Sequence, residues 1–271
     1  MPGSYPAIAL VATDLDGTLL DASSRVTPRA AAAVAAARAA GIHVVPVTGR
    51  PPQAMYPVLG GVDCGPYAVC SNGAVTVDMT SRQVVEEVAL PSEIARAVVA
   101  RVREALPAVR FATDNLDRFC YERDFFKQPN EWDEVVREVD DITTALDRPC
   151  TKLICRLPGS DALGLIALLE QHVGEEGHVT TSGLDWVDIG APGVSKAYAL
   201  ERVCSRLGVG VDEVVAIGDN HNDLSVLAWA GTAMAPDNAV PEVLAAVDRV
   251  LGRHDADAVA MLLEELVAAR Q

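Results

Sequence analysis

Two aspartates one residue apart follow an apolar run near the N-terminus, in the stretch AIALVATDLDGTLL at residues 7–20. Like charges this close repel each other, and a buried carboxylate is costly unless it is paired or holds a cation. Asp14 and Asp16 occupy alternate positions, so in an extended chain both can face one side while Leu15 packs the other way. The spacing therefore predicts a chemical site at the end of a buried strand.

Three other apolar runs also end in polar residues. These residues are Thr48, Gly49 and Arg50 after IHVVPV, Asn72 after YAVC, and Asp219 after EVVAIG. The carboxyl ends of parallel strands share one edge of a sheet, and ligands bind in the crevice at that edge. We therefore expect these side chains to lie near the two aspartates.

Lys196 is a candidate for the same site. It follows Ser195, the expected N-cap of the helix in VSKAYALERVCSRLG, and the helix macrodipole disfavours a cation in a first turn. The helix leads directly into the strand that ends in Asp219. A lysine at this place is explained if it contacts the carboxylates and an anionic substrate.

The acidic residues of this edge predict a metal ion. They are Asp14, Asp16, Asp219 and Asp223. Their ligand atoms are all oxygen, which favours Mg²⁺ over zinc. A carboxylate and a phosphate about 4 Å apart repel by roughly 4 kcal/mol at an effective dielectric constant near 20. A phosphorylated substrate could therefore approach several aspartates only if a divalent cation neutralised them.

The composition limits the partners of the protein. Among 271 residues, 22 Lys and Arg stand against 38 Asp and Glu, a net charge of −16, which argues against nucleic acid and anionic membranes. No apolar run reaches the length of a membrane span, and the N-terminus does not resemble a signal peptide. We expect a cytoplasmic protein with six reduced, buried cysteines and a small-molecule partner. The sequence indicates no oligomeric state.

The order of the apolar runs predicts an α/β fold. Strand and helix alternate at residues 1–81 and again at 189–271, which implies a Rossmann-like parallel sheet core with helices on both faces. Residues 82–188 combine hairpins with helices and predict an inserted α+β cap domain with an antiparallel sheet. The Gly- and Pro-rich segment GAPGV at 190–194 is expected to act as a hinge.

The segments DLDGTLL, VTGR, GVSK and GDNHNDLSVL, in this order, resemble the four motifs of the haloacid dehalogenase superfamily. The chain is similar to the Cof-like sugar-phosphate phosphatases of that superfamily, which carry a large α/β cap between the second and third motifs. The segments SNGA and MAPDNA fit the same pattern, although many relatives have MGNA in place of MAPDNA. The resemblance implies a Mg²⁺-dependent phosphomonoesterase that hydrolyses small phosphorylated metabolites, with sugar phosphates the expected substrates.

The resemblance also implies a role for each matching residue. Asp14 would attack phosphorus and form an aspartyl phosphate, and Asp16 would protonate the leaving oxygen and then activate water. The other implied roles are Mg²⁺ binding by Asp14, the Asp16 carbonyl and Asp219, phosphoryl binding by Thr48, Gly49 and Lys196, support of phosphate and metal by Asn222 and Asp223, and substrate contact by Arg50 and Asn72. Thr18 is expected to serve a turn or to cap a helix.

Two other functions stay open at this point. A phosphomutase of the phosphomannomutase type shares a similar core and nucleophile, but it would release no net phosphate. A non-catalytic regulatory relative would keep the fold without turnover, and the intact set of motif aspartates and Lys196 argues against it. No motif in residues 82–188 identifies the substrate, and Arg118, Lys152 and Asp185 are expected to be surface residues there.

Overall fold

The computed structural model describes residues 7–126, 136–183 and 185–270. The chain separates into two compact units, which we name the core unit (Met1–Glu86 with Ser195–Gln271) and the inserted unit (Glu87–Val194). The boundaries that the sequence predicts, near residues 82 and 188, lie a few residues earlier. That the inserted unit acts as a cap stays a prediction.

The helices and strands are numbered in chain order. The first segment of the core unit contains β1 (Leu10–Thr13), α1 (Pro28–Ala39), β2 (His43–Pro46), α2 (Pro52–Leu59), β3 (Tyr67–Cys70), β4 (Val75–Asp78) and β5 (Val84–Glu87). The inserted unit contains α3 (Ser92–Ala105), β6 (Arg110–Asn115), β7 (Arg118–Glu122), β8 (Val136–Val139), β9 (Lys152–Arg156), α4 (Ala162–Val173), β10 (His178–Thr180) and β11 (Val187–Gly190). The second segment of the core unit contains α5 (Lys196–Leu207), β12 (Val214–Ile217), α6 (Leu224–Trp229), β13 (Thr232–Ala235), α7 (Pro241–Leu244), β14 (Arg249–Val250) and α8 (Ala258–Ala268).

The core unit is built on a parallel sheet with the strand order β14-β13-β12-β1-β2. All four residues of the central strand β1 are buried, as expected for a parallel strand that is covered on both faces. A second sheet, β3-β4-β5, is joined to the first by a parallel bridge between Val47 and Val69. The predicted α/β fold is confirmed.

Helices cover both faces of the parallel sheet. Leu10 and Ala12 pack in one hydrophobic cluster with residues of α5 and α6. Val11 points to the opposite face, where it is also fully buried. The helices α1 and α8 pack against each other, and α1 also packs against β2. This arrangement explains why the strands of the core read as continuous apolar runs.

The inserted unit is an α+β structure with its own hydrophobic core. Its sheet has the order β10-β11-β9-β6-β7-β8, and the pairs are antiparallel except for the parallel pair of β7 and β8. Residues of α3 and α4 form one cluster with Phe111, Leu153 and Ile189 of the sheet. The predicted second sheet is therefore present, although β8 was not predicted from the sequence.

Two composition-based expectations can be compared with the structure. All six cysteines are free and buried, as predicted. Among the described residues, no helix is both long enough and apolar enough to cross a membrane.

The start of α1 yields a stability prediction. Thr27 is the N-cap, as the sequence predicts: its hydroxyl oxygen accepts the N–H of Ala30 at 3.0 Å, and its hydroxyl donates to Asp257. Thr27→Ala should lower the free energy of unfolding by about 1 kcal/mol, whereas Thr27→Ser should retain most of it because the hydroxyl remains. Urea denaturation of both variants measures this difference. Equal losses would show that the Thr27 methyl group, and not the cap, provides the stability.

Candidate active site

Three strand ends of the parallel sheet meet at one edge of the core unit. Thr13 pairs with Ile217 on one side and with Pro46 on the other, so these three strands end level with one another. Asp14 continues β1, and its N–H donates to the Ile217 carbonyl at 2.8 Å. The polar residues that follow the three strands are therefore held by the sheet at the same edge.

Lys196 lies at the centre of this edge. It is the first residue of α5, and the side chain of the N-cap Ser195 accepts the N–H of Tyr198 at 3.2 Å. The Lys196 Nζ donates to Asp14 Oδ1 at 2.7 Å and to Asp223 Oδ1 at 2.6 Å. Its side chain is wholly buried, and that of Asp14 is 9% exposed. The lysine is thus a shared counter-ion for two buried carboxylates.

Burial and mutual attraction compete in this cluster. Burial alone would lower the pKa of Lys196, but Asp14 and Asp223 outweigh it, and the pKa of Lys196 is raised. Burial raises the pKa of Asp14 well above its usual range, and the neighbouring carboxylates add to this effect while Lys196 opposes it. Positive charge at this place therefore stabilises the ionised form of Asp14.

Asp223 also shapes the loop after β12. Its Oδ2 accepts the backbone N–H groups of Asp219 and Asn220, both at 3.1 Å. A Cβ atom on Gly218 would overlap the Asp223 side chain, so the close approach requires glycine there. Both Asp223 oxygens accept hydrogen bonds from the protein, so Asp223 positions Lys196 and the backbone of Asp219 and Asn220.

Asp219 is enclosed by the turn that follows β1. Thr18 donates its hydroxyl to Asp219 Oδ1 at 2.9 Å. Gly17 has φ of +73°, and a Cβ atom there would lie 2.5 Å from Asp219 Oδ2. Burial and the nearby Asp223 raise the pKa of Asp219 to about 6. The expected turn or helix-cap role of Thr18 is thus incomplete, because its hydroxyl holds a carboxylate of the site.

Asp14, Asp219 and Asp223 form a group that could bind a metal ion. One carboxylate oxygen from each lies within 4.8 Å of those from the other two. The Asp16 side chain is not part of this group. The donor set is entirely oxygen, which suits a hard divalent cation.

Asp16 lies in a different environment from Asp14. Its side chain is 49% exposed and forms a two-pronged ion pair with Arg50. The Arg50 Nε lies 2.7 Å from Asp16 Oδ2, and Nη2 lies 2.6 Å from Oδ1. The two aspartates of the motif are therefore separated by environment: one is buried beside a lysine, and the other is accessible to solvent beside an arginine.

Thr48, Gly49, Asn72 and Asn222 are gathered beside the strand ends. The Asn222 Nδ2 donates to Asn72 Oδ1 at 3.0 Å, and a Cβ atom on Gly49 would lie 3.0 Å from the same oxygen. The buried Thr48 hydroxyl accepts the N–H of Arg50 at 3.1 Å. These residues, which are distant in sequence, therefore line one region of the core unit.

A tight turn at residues 71–73 connects this region to α5. Ser71, Asn72 and Gly73 have φ values of +49°, +56° and +102°, all in the left-handed region. A Cβ atom on Gly73 would overlap the carbonyl oxygen of Ser195. The turn therefore packs directly on the backbone that presents Lys196, and such backbone conformations are often found at functional sites.

The polar residues of the inserted unit differ from the expectation of plain surface positions. Lys152 is buried and lies 3.2 Å from Asp188, so for this residue the expectation was wrong. A buried lysine requires an anionic partner. The sequence of β9 does not indicate this partner, because Asp188 lies on β11. Arg118 pairs with Asp147 at 2.6 Å, and Asp185 pairs with Arg156 at 2.9 Å.

Two residues near the site were not predicted from the sequence. Asn238 donates its side-chain N–H to the Gly17 carbonyl at 2.9 Å, and the His254 ring N–H donates to the Leu20 carbonyl at 2.8 Å. Asn238 lies in the segment MAPDNA, which fits the family pattern but indicates no role for this residue. No local signal marks His254.

Comparison with known proteins agrees with the fold and the motifs. A family model described as haloacid dehalogenase-like hydrolase matches residues 11–263. The chain therefore belongs to the haloacid dehalogenase-like hydrolases, as the four motifs indicated.

Relatives and a solved structure extend this result. The Escherichia coli protein named pyridoxal phosphate phosphatase YbhA is 29% identical over 94% of this chain and 97% of its own. The Cronobacter sakazakii protein named HMP-PP phosphatase is 26% identical over 94% of each chain. The structure of BT4131, described as a HAD subclass IIB sugar phosphatase, has a TM-score of 0.80 at 21% identity and covers 94% of this chain and 98% of its own, which shows the shared fold. The chain is a phosphatase of this family.

The raised pKa of Asp219 predicts how stability depends on pH. In EDTA, the proton that Asp219 binds stabilises the folded state, because its pKa rises from 3.8 to about 6 on folding. This stabilisation is complete below the unfolded pKa and is lost as the pH rises through the folded one, a change on the order of 3 kcal/mol.

The contribution of Asp219 to the free energy of unfolding in EDTA should therefore fall between about pH 4 and pH 7. Asp219→Asn is the matched control, since it removes the titrating group and keeps the side-chain shape. Urea denaturation across this pH range should give a shallower dependence for Asp219→Asn than for the wild type. Identical pH profiles would contradict the assignment.

Proposed function

We propose that this phosphatase is a Mg²⁺-dependent phosphomonoesterase that hydrolyses small phosphorylated metabolites through an aspartyl phosphate on Asp14. The observation that carries the proposal is the buried Lys196 between Asp14 and Asp223, with Asp219 in the same cluster. The chain has a net charge of −16. At this edge of the core unit, however, it buries the positively charged side chain of Lys196 completely. Local positive charge there would attract the phosphoryl group.

Asp14 is suited to act as the nucleophile. Lys196 fixes its Oδ1 and stabilises the carboxylate form, so Oδ2 is the oxygen left to attack phosphorus. In the first half-reaction a bond forms between Asp14 and phosphorus while the bond from phosphorus to the leaving oxygen breaks. The buried Lys196 would hold its positive charge close to the reacting group throughout.

Asp16 would handle the protons of both half-reactions. Its carboxyl group would give a proton to the leaving oxygen and would then take one from the water that attacks the aspartyl phosphate. The Asp16 side chain is 49% exposed, so the leaving group can depart and water can enter beside it. The ion pair with Arg50 orients Asp16 at the rim of the buried cluster.

The oxygen-rich cluster fits Mg²⁺. Asp14, Asp219 and the Asp16 carbonyl would hold the ion, with Asp223 supporting them through its hydrogen bonds to the 218–220 loop. When bound, Mg²⁺ would supply positive charge that offsets the carboxylates and the phosphoryl oxygens. Thr48, Gly49 and Asn222 would contact the phosphoryl group, and Arg50 and Asn72 would contact the rest of the substrate.

The substrate class rests on the resemblance and on the relatives. Two relatives carry names that specify pyridoxal phosphate and HMP-PP, both small molecules with phosphate groups. We propose sugar phosphates and similar small phosphate esters for this enzyme, and the inserted unit as the part that selects among them. Release of inorganic phosphate distinguishes this activity from that of a phosphomutase.

The first test is the metal requirement. The wild-type enzyme should release phosphate from a panel of small phosphate esters when Mg²⁺ is present. Release should stop in excess EDTA and return when Mg²⁺ is restored, because the carboxylates would repel a phosphate dianion without the cation. Full activity in EDTA would contradict the metal assignment. Transfer of phosphate without net release would favour the phosphomutase.

A second test separates Asp14 from Asp16. Asp14→Asn should form no phosphoenzyme with any substrate. Asp16→Asn should lose roughly 10²–10⁴-fold on a sugar phosphate, whose poor leaving group needs an acid, but should still be phosphorylated by nitrophenyl phosphate. Rapid-quench and mass measurements should then show a burst followed by slow turnover, since the second half-reaction lacks its base. Equal losses on both substrates, without a trapped phosphoenzyme, would show that the two roles are assigned wrongly.

A further inference from the structure

Asn238 bridges two segments of the core unit beside the candidate active site. Its Nδ2 donates to the Gly17 carbonyl at 2.9 Å, and its Oδ1 accepts the backbone N–H of His254 at 3.1 Å. The amide side chain thus uses one donor and its acceptor on two backbone groups from distant parts of the chain. The orientation of the amide follows from these partners, because a carbonyl accepts and an N–H donates.

The backbone that Asn238 holds is the turn around Asp219. The Gly17 carbonyl belongs to the peptide group shared with Thr18, and the Thr18 hydroxyl donates to Asp219 Oδ1 at 2.9 Å. Gly17 itself lies against the Asp219 carboxylate, with φ of +73°. Fixing this peptide group therefore holds the Thr18 backbone where its hydroxyl reaches Asp219, and it holds the backbone of Gly17 against the Asp219 carboxylate.

This peptide group needs an external partner. Glycine has the widest choice of backbone conformations, so the peptide after Gly17 can rotate at little steric cost. The far end of the turn has its own attachment, since the His254 ring N–H donates to the Leu20 carbonyl at 2.8 Å. Loss of the Asn238 side chain should therefore loosen residues 16–18 without detaching the whole turn.

We propose that Asn238 is a positioning residue for the metal site. By holding the Gly17 carbonyl, Asn238 keeps the Thr18 hydroxyl on Asp219. The inference rests on the proposed function, which assigns Asp219 and the Asp16 carbonyl as Mg²⁺ ligands. Asn238 itself contacts neither the substrate nor the ion in this assignment.

The test is a double-mutant cycle on Mg²⁺ binding. Calorimetry with Mg²⁺ alone, without substrate, gives the dissociation constant for the wild type, Asn238→Ala, Thr18→Val and the double variant. Each single variant should bind about threefold to tenfold more weakly, the effect of one lost hydrogen bond. The double variant should bind Mg²⁺ only slightly more weakly than the single variant with the lower affinity, because both substitutions act on the same Asp219 contact. Additive effects would overturn the proposal.

Two further variants keep the result interpretable if Asn238→Ala folds poorly. Asn238→Asp keeps the volume and the acceptor for the His254 N–H but removes the donor to Gly17. It should weaken Mg²⁺ binding, although its added negative charge alone would strengthen it. Asp237→Ala, an exposed neighbour whose backbone N–H binds the Gly252 carbonyl, is the matched control and should bind as the wild type does. Unchanged or tighter binding by Asn238→Asp would also overturn the proposal.

Kinetics then separate positioning from a general loss of structure. The activity of Asn238→Ala should fall at low Mg²⁺ and return at saturating Mg²⁺, whereas a partly unfolded protein would lose activity at every Mg²⁺ concentration. If the wild type binds Mg²⁺ and Asn238→Ala binds equally well, the inference about Asn238 fails alone. If the wild type does not bind Mg²⁺, the proposed function itself fails.

Discussion

The buried ion-pair group of Lys196, Asp14 and Asp223 is the interaction on which the arrangement of the site depends. Removing three charged groups from water is costly, and only close mutual contact offsets the cost. Lys196 also begins α5, where the macrodipole disfavours a cation, so its two carboxylates must outweigh that effect as well. Removal of Lys196 would leave two buried carboxylates without a counter-ion, whereas removal of either carboxylate would leave one ion pair. The group therefore holds the end of β1, the loop after β12 and the start of α5 in one relative position.

Close backbone approach is the second constraint on the site. At Gly17, Gly73 and Gly218, an added Cβ atom would overlap Asp219, Ser195 and Asp223 respectively. Each of these glycines lies in a loop next to a charged residue of the cluster. The loops can approach the carboxylates and the lysine only because no side chain intervenes at these positions. The polar cluster is thus enclosed mainly by backbone, which offers fixed N–H donors such as those of Asp219 and Asn220 to Asp223.

Much of the core unit could be predicted from local sequence, and the exceptions have physical causes. The helix at Pro28–Ala39 begins at Thr27 as its N-cap and proline pattern indicate, and the apolar runs before Asp14 and Asp219 are strands. The helix Pro52–Leu59 was not predicted, because it contains two prolines and follows a third, and prolines inside a segment argue against a helix. The strand Val136–Val139 was also missed, since VREV is short and its residues are not buried.

The sequence by itself determined which residues carry chemistry: two aspartates after one apolar run, Asp219 after another, and a lysine at a helix start. Residue type and strand order suffice for this, because parallel strands end at a common edge. Only the tertiary structure decided the environment, and therefore the role, of each of these residues. It buried Asp14 against Lys196, left Asp16 exposed beside Arg50, and brought Thr18 and Asn238 to the turn around Asp219. Burial and partner choice depend on contacts between segments more than two hundred residues apart, for example 201 residues from Thr18 to Asp219 and 221 from Gly17 to Asn238, which no local pattern records.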